Sequence, residues 1–299
     1  MRESLKSLFG KTVLWRYKLP NIEPSLSKVT MSTLNDDVFE CNDDSDLSEI
    51  IYNSIVEYSF NHFDLEGKDF RKQLEIALRT KIKYKESQKT GTKIKYGFYG
   101  EVLLYTMLCL FYKSDPIISR GYFYSPLEKS ETKGYDSYHL VESDNQVELW
   151  FGEVKFRATL NSCIKSAIEG LDKAFSDGYL EENILAMVNF QGGFNKKECK
   201  IKKVISAWEK QPSIKIIDEL IKFNMKLIYP IFLIYPDKSI DFDSKIKKAI
   251  KYINKKYPPK KYNLSIDFEV FFIFLPVDNV KKIKEDVITW IESQKPLLL

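Results

Sequence analysis

With 299 residues, 44% hydrophobic and 29% charged, and only 12 Gly and 11 Pro, the chain can bury one sizeable core or two modest ones, which excludes disorder over most of its length. The four cysteines, Cys41, Cys109, Cys163 and Cys199, form no Cys-x-x-Cys, and only His62 and His139 could join them, which excludes a thiolate or imidazole zinc site and points to a reduced protein. The start "MRESLKSLFGKTVLW" has no signal-peptide core and no segment approaches a membrane span, so a cytoplasmic chain with no membrane contact is expected.

Residues 1–44 read as irregular or extended, with strands expected at 11–18 and 28–40 and an acidic loop within 35–49. "DLSEIIYNSIVEYSF" (46–60) has apolar residues at helical spacing behind a cap at Ser45 or Asp46, and "KDFRKQLEIALRTKIKY" (68–84) is a second helix. The polar "KESQKTGTK" (85–93) divides an N-terminal, partly helical region, 1–88, from 89–299. Tighter alternation follows. A long apolar helix is expected at 93–113, strands at 117–125, 135–142 and 147–156, a helix at 162–178 stopped by Gly178, and a strand at 183–190. Then come two helices ("IKKVISAWEK", "IIDELIKFN"), the strand "KLIYPIFLIYP", the helix "SKIKKAIKYINKKY", the strand "SIDFEVFFIFLP" and the helix "VKKIKEDVITWIES". The fold class is α/β or α+β around one sheet.

Charge is unevenly spread. Residues 191–299 hold 22 Lys against 13 Asp and Glu, an excess of +9 where the whole chain carries +4. Lysines interleaved with tyrosines, as in 251–262, suit a nucleic-acid backbone, and equally suit a solvated helix face. Lys133, Lys165, Lys196, Lys197, Lys255, Lys256, Lys260 and Lys261 are the candidate DNA-binding residues.

The stretch "ELWFGEVKF" (148–156) reads as a buried strand, yet Glu153 and Lys155 sit two apart on one of its faces. With a two-residue turn at 144–145, opposed residues have numbers adding to 289, which sets Asp136 across from Glu153. Two carboxylates at ladder distance repel unless a cation joins them. A divalent metal such as Mg²⁺ or Mn²⁺ is one answer, with Lys155 positioning or deprotonating a water; a structural salt bridge from Lys155 is the other. Glu101 lies in the apolar helix, where a carboxylate needs a metal, a solvent gap or a tyrosine hydroxyl.

In "YGEVLL", "KGYDSY" and "GEVKF" the chain resembles the PD-(D/E)XK nucleases, whose core runs αβββαβ, here across 93–190. Two departures are Tyr135 in place of Pro before Asp136, and no Gln motif on the helix after Lys155, where Lys165 or Lys173 could substitute. Within that superfamily the wording is similar to the HamA nuclease subunits of Hachiman anti-phage defence. The resemblance implies catalysis by Glu101, Asp136, Glu153 and Lys155, and a metal held by Asp136, Glu153, Glu101 and the Val154 main-chain carbonyl. It implies a DNA endonuclease controlled by a co-encoded, HamB-like helicase docking on 1–88, with 191–299 as a Lys-rich elaboration. Binding DNA or the helicase without cleavage, and cleavage of RNA, are the alternatives.

Overall fold

Apolar residues three and four apart in "ESLKSLFGKT" bury Leu5, Leu8 and Phe9 on one side of helix α1 (Glu3–Thr12), where an irregular start was expected. The computed structural model describes residues 1–19, 36–119, 124–125, 130–131, 134–143, 145–195, 198–237, 242–256 and 261–298. Strands β1 (Val13–Lys18) and β2 (Asp37–Cys41) follow, and most of the strand expected at 28–40 lies outside the described residues. Helix α2 (Asp44–Ser59) is capped by Asp43 rather than Ser45 or Asp46, because the Asp43 carboxylate accepts the N–H groups of both, at 2.7 and 2.9 Å. After α3 (His62–Leu65) and α4 (Phe70–Thr80), the helix expected at 93–113 divides into α5 (Thr90–Lys93) and α6 (Phe98–Leu110).

Within 117–125 the described residues pair only at β4 (Tyr124–Ser125), which meets β5 (Ser130–Glu131); a short β3 (Asp115–Pro116) precedes them. The hairpin strands are β6 (His139–Glu142) and β7 (Val147–Trp150), and after a break at 151–152 comes β8 (Glu153–Phe156). The helix expected at 162–178 divides at Gly170 into α7 (Leu160–Glu169) and α8 (Leu171–Ala174). Gly178 ends nothing: it lies in the first turn of α9 (Asp177–Ala186), behind the Ser176 cap. The strand expected at 183–190 is therefore corrected to the end of α9 and a 3-10 turn over 188–193. Its apolar run carries Ile184 and Met187 into the core at helical rather than alternating spacing. The remaining elements form where their patterns put them: α10 (Lys200–Lys210), α11 (Ile216–Lys222), β9 (Met225–Pro236), α12 (Phe242–Lys256), β10 (Phe268–Val277) and α13 (Val280–Glu292).

The sheet runs β1-β2-β10-β9-β7-β6-β3, with β8 beside β9 only. β9 and β10 are parallel at its centre and read as near-continuous apolar runs because both faces are covered. Tyr229, Ile231 and Leu233 enter the core under α7, and Ile228, Phe232 and Ile234 enter the opposite core with α2, α6 and α13. Two consequences follow. The parallel strand after α7 is β9, not 183–190. Residues 1–88 share a sheet and an apolar core with 89–299, since β2 pairs with β10 and α2 packs on α6 and α13. Among the described residues no helix is long and apolar enough to cross a membrane.

Candidate active site

The β6–β7 register obeys the sum expected from a two-residue turn, from Glu142 opposite Val147 to His139 opposite Trp150. Asp136 and Glu153 satisfy the same sum, but the ladder ends before it reaches them. Ser137 intervenes: its hydroxyl donates to the Trp150 carbonyl (3.1 Å) and accepts from the Gly152 N–H (2.7 Å), standing in for a main-chain partner. Asp136 thus lies outside the strand expected at 135–142, in a bend, with its N–H on the Gly152 carbonyl (2.9 Å). Its carboxylate accepts the Val154 N–H at 2.9 Å.

The break has a cause on the neighbouring strand. The Ile228 carbonyl accepts the Phe151 N–H, and two residues on Pro230 faces the same side with no N–H to give. A Cβ on Gly152 would lie 2.7 Å from both the Pro230 ring and its carbonyl oxygen, so glycine alone fits here. β8 continues along β9, and its other edge is left open to Asp136. A residue's N–H and C=O leave a strand on the same side, so the Val154 carbonyl shares that edge. Trp150, Val154 and Phe156 fill a core, while Glu153 and Lys155 stay partly exposed on the other face.

Helix α6 meets β8 through Gly100, where a Cβ would approach Val154 to 3.0 Å. That contact brings Glu101, in the first turn of α6, to the same place. Tyr58 of α2 donates its hydroxyl to Glu101, one of the partners foreseen for a carboxylate in so apolar a helix. Glu101, Asp136, Glu153, Val154 and Lys155 all line one cleft of about 570 Å³, together with Gly97, Arg157 and the first turns of α13. Lys155 pairs with Glu153, and burial lowers its amine's proton affinity, partly offset by the Asp136 charge.

The oxygens of Asp136, Glu153, Glu101 and Val154 are hard donors of the type a divalent cation takes. Each described carboxylate is at present engaged with protein, and among the described residues no three His, Cys, Asp or Glu side chains are already gathered as a ligand set.

The other expected lysines are elsewhere. Lys165 is exposed on α7 with Glu169 3.8 Å away, and Lys173 stacks on Tyr179, so neither lines the cleft in place of a Gln motif. Lys255 and Lys261 are exposed, and Lys256 belongs to α12. Lys133, Lys196, Lys197 and Lys260 lie outside the described residues. Lys95, Arg157, Lys281 and Lys284 line the cleft without having been singled out. Lys284 had a signal: with Val280, Val287 and Ile291 it forms a stripe at helical spacing, a lysine on an otherwise apolar face.

A family model described as HamA matches residues 19–291, and the chain belongs to this family of anti-phage defence proteins. No curated protein and no solved structure gave a significant match.

Proposed function

From that membership and the cleft's geometry, we propose that this chain is a metal-dependent nuclease. It hydrolyses DNA phosphodiester bonds with little sequence preference, in anti-phage defence, under the control of a partner helicase. One observation carries the reading: Glu101, Asp136, Glu153, Val154 and Lys155, spread over 55 residues of sequence, line one cleft. Glu101 stands on α6, Asp136 in the bend before β6, and Glu153, Val154 and Lys155 on β8, a helix-then-strands succession that supports the PD-(D/E)XK resemblance. The donor set fits Mg²⁺ or Mn²⁺, which when bound would polarise the phosphodiester and acidify a water.

The chain's own residues do the rest. The Val154 N–H fixes Asp136, and the Tyr58 hydroxyl orients Glu101. Lys155 Nζ, beside Glu153 and made less basic by burial, is placed to take a proton from the attacking water or to steady charge on a phosphate oxygen. Restraint by a helicase answers a physical need, since unselective cleavage would destroy the cell's own DNA.

The test is cleavage of plasmid, linear DNA and RNA by the purified chain, in Mg²⁺ and in excess EDTA. DNA cut only with the metal is the expected result. Undiminished cleavage in EDTA removes the metal from the reading, cutting of RNA alone reassigns the substrate, and no cutting makes the chain a binding module. Co-expression with the helicase should lower cleavage relative to the free chain; activity only in the complex would reverse the direction of control.

A further inference from the structure

Among the described residues two lysines are nearly sealed from solvent, Lys93 at 4% and Lys284 at 8% exposure. Lys93 is paired with Glu292 and donates to the Glu86 carbonyl at 2.7 Å. Lys284 donates to the Phe156 carbonyl at 3.1 Å and rests on the rings of Phe156 and Tyr99, 4.6 and 5.4 Å from their centroids. Among the described residues it makes no ion pair with any carboxylate. A buried ammonium without a counter-ion is costly, and Arg157, a second cation, adds repulsion.

The place of that ammonium matters. Lys284 lines the cleft that holds the carboxylates, and its one carbonyl partner, Phe156, lies two residues beyond Val154 on β8. An ammonium has three donors, and Phe156 takes one. Arg157, Lys95 and Lys281 stand exposed around the same cleft, the last 3.4 Å from Glu285. The cleft thus carries cations as well as carboxylates, and its one buried ammonium has no carboxylate partner among the described residues.

We infer that Lys284 is a phosphate-binding residue: it seats a phosphate of the nucleic-acid backbone in the cleft that also holds the carboxylates. The inference rests on the nuclease reading only for whose phosphate is bound. The anion supplies the counter-ion the fold withholds, and the Phe156 carbonyl and the two rings hold the ammonium in one place, ready for it.

The test is equilibrium binding of a short labelled DNA duplex in EDTA, where no metal-dependent cleavage can occur, across a salt series. Lys284→Met is compared with the unaltered chain, and Lys93→Met serves as a control for a buried lysine with a structural role. One lost phosphate contact should lower the slope of log affinity against log salt by about 0.9. Affinity should fall roughly 10- to 100-fold, as for a lost hydrogen bond to a charged group, with no fall in melting temperature. Lys284→Arg should restore part of the slope. An unchanged slope overturns the inference, and so does a fall in affinity and melting temperature together at constant slope. Should Lys284→Met not fold, Lys284→Gln is read on the same slope. Because no cleavage is involved, absence of nuclease activity leaves this result standing, and normal activity with an unchanged slope sinks the inference alone.

Discussion

Helix α13 meets a buried lysine near each end, and the two ends are built differently. Near its C-terminus Glu292 accepts from Lys93 and from the Tyr84 hydroxyl, so charge is neutralised inside the protein. Near its N-terminus Lys284 faces the cleft with a carbonyl and two rings but no carboxylate among the described residues. Tyr99 touches both ends, its hydroxyl on the Lys93 carbonyl (3.0 Å) and its ring under Lys284. A buried charge that is answered within the fold serves the fold. One left unanswered at a cleft marks where something else is meant to answer it.

The contrast can be broken most sharply at Lys155. Lys155→Ala should reduce DNA cleavage about 10²–10⁴-fold while leaving the melting temperature nearly unchanged, since the side chain is partly exposed and its partner Glu153 can be hydrated. Wild-type turnover in this variant would make the Lys155–Glu153 pair structural.

His139 shows a third way to bury a titratable group, which is to discharge it. Burial lowers its pKa to about 4, with Ser114 as a hydrogen-bond neighbour at 3.1 Å. The unfolded chain binds this proton near pH 6.5, so between about 4 and 6.5 it holds more protons than the folded chain. Stability therefore rises with pH across that window and is lost as pH falls through it, by up to about 3 kcal/mol. Urea melts at pH 7 and pH 4.5 should show a smaller acid loss for His139→Phe than for the unaltered chain; equal losses would place the acid sensitivity elsewhere.

The smallest effect belongs to Lys93. Lys93→Met should cost about 1–2 kcal/mol, because Glu292 is half-exposed and can recover its hydration, and DNA binding should be unaffected. A thermal melt with a parallel binding measurement checks both halves. Weakened binding here would erase the distinction between the two lysines.

Much of this molecule was legible because its signals are strong and local. The apolar runs of β9 and β10, the amphipathic patterns of α10 to α13 and the hairpin register each follow from periodicity or turn length. Glu101 and the Glu153–Lys155 pair stood out as charges in apolar surroundings, and the structure gathers them. What was missed depends on long-range partners. The helical geometry of 183–190 turned on packing beneath the sheet, not on its apolar run. The end of the ladder at Asp136 required knowing that Pro230 and Gly152 would lie side by side, 78 residues apart in sequence. Lys284 was hidden among eleven other lysines of 245–295, and its position on the apolar stripe was the distinguishing mark.

The open edge of β8 has a bearing on how the site tolerates change. At positions 154 and 156 the atoms that hold Asp136 and Lys284 belong to the main chain, an amide N–H and a carbonyl. Any residue except proline supplies both groups, so the Val154 side chain is constrained by the core it fills, whereas Phe156 also lends its ring to Lys284. Val154→Ile can alter packing and still leave the scaffold of the site intact, whereas Val154→Pro deletes a single hydrogen atom on which the orientation of Asp136 depends. The site thus divides its vulnerability: it is brittle at the few side chains that carry charge, and forgiving along the backbone that holds them in place.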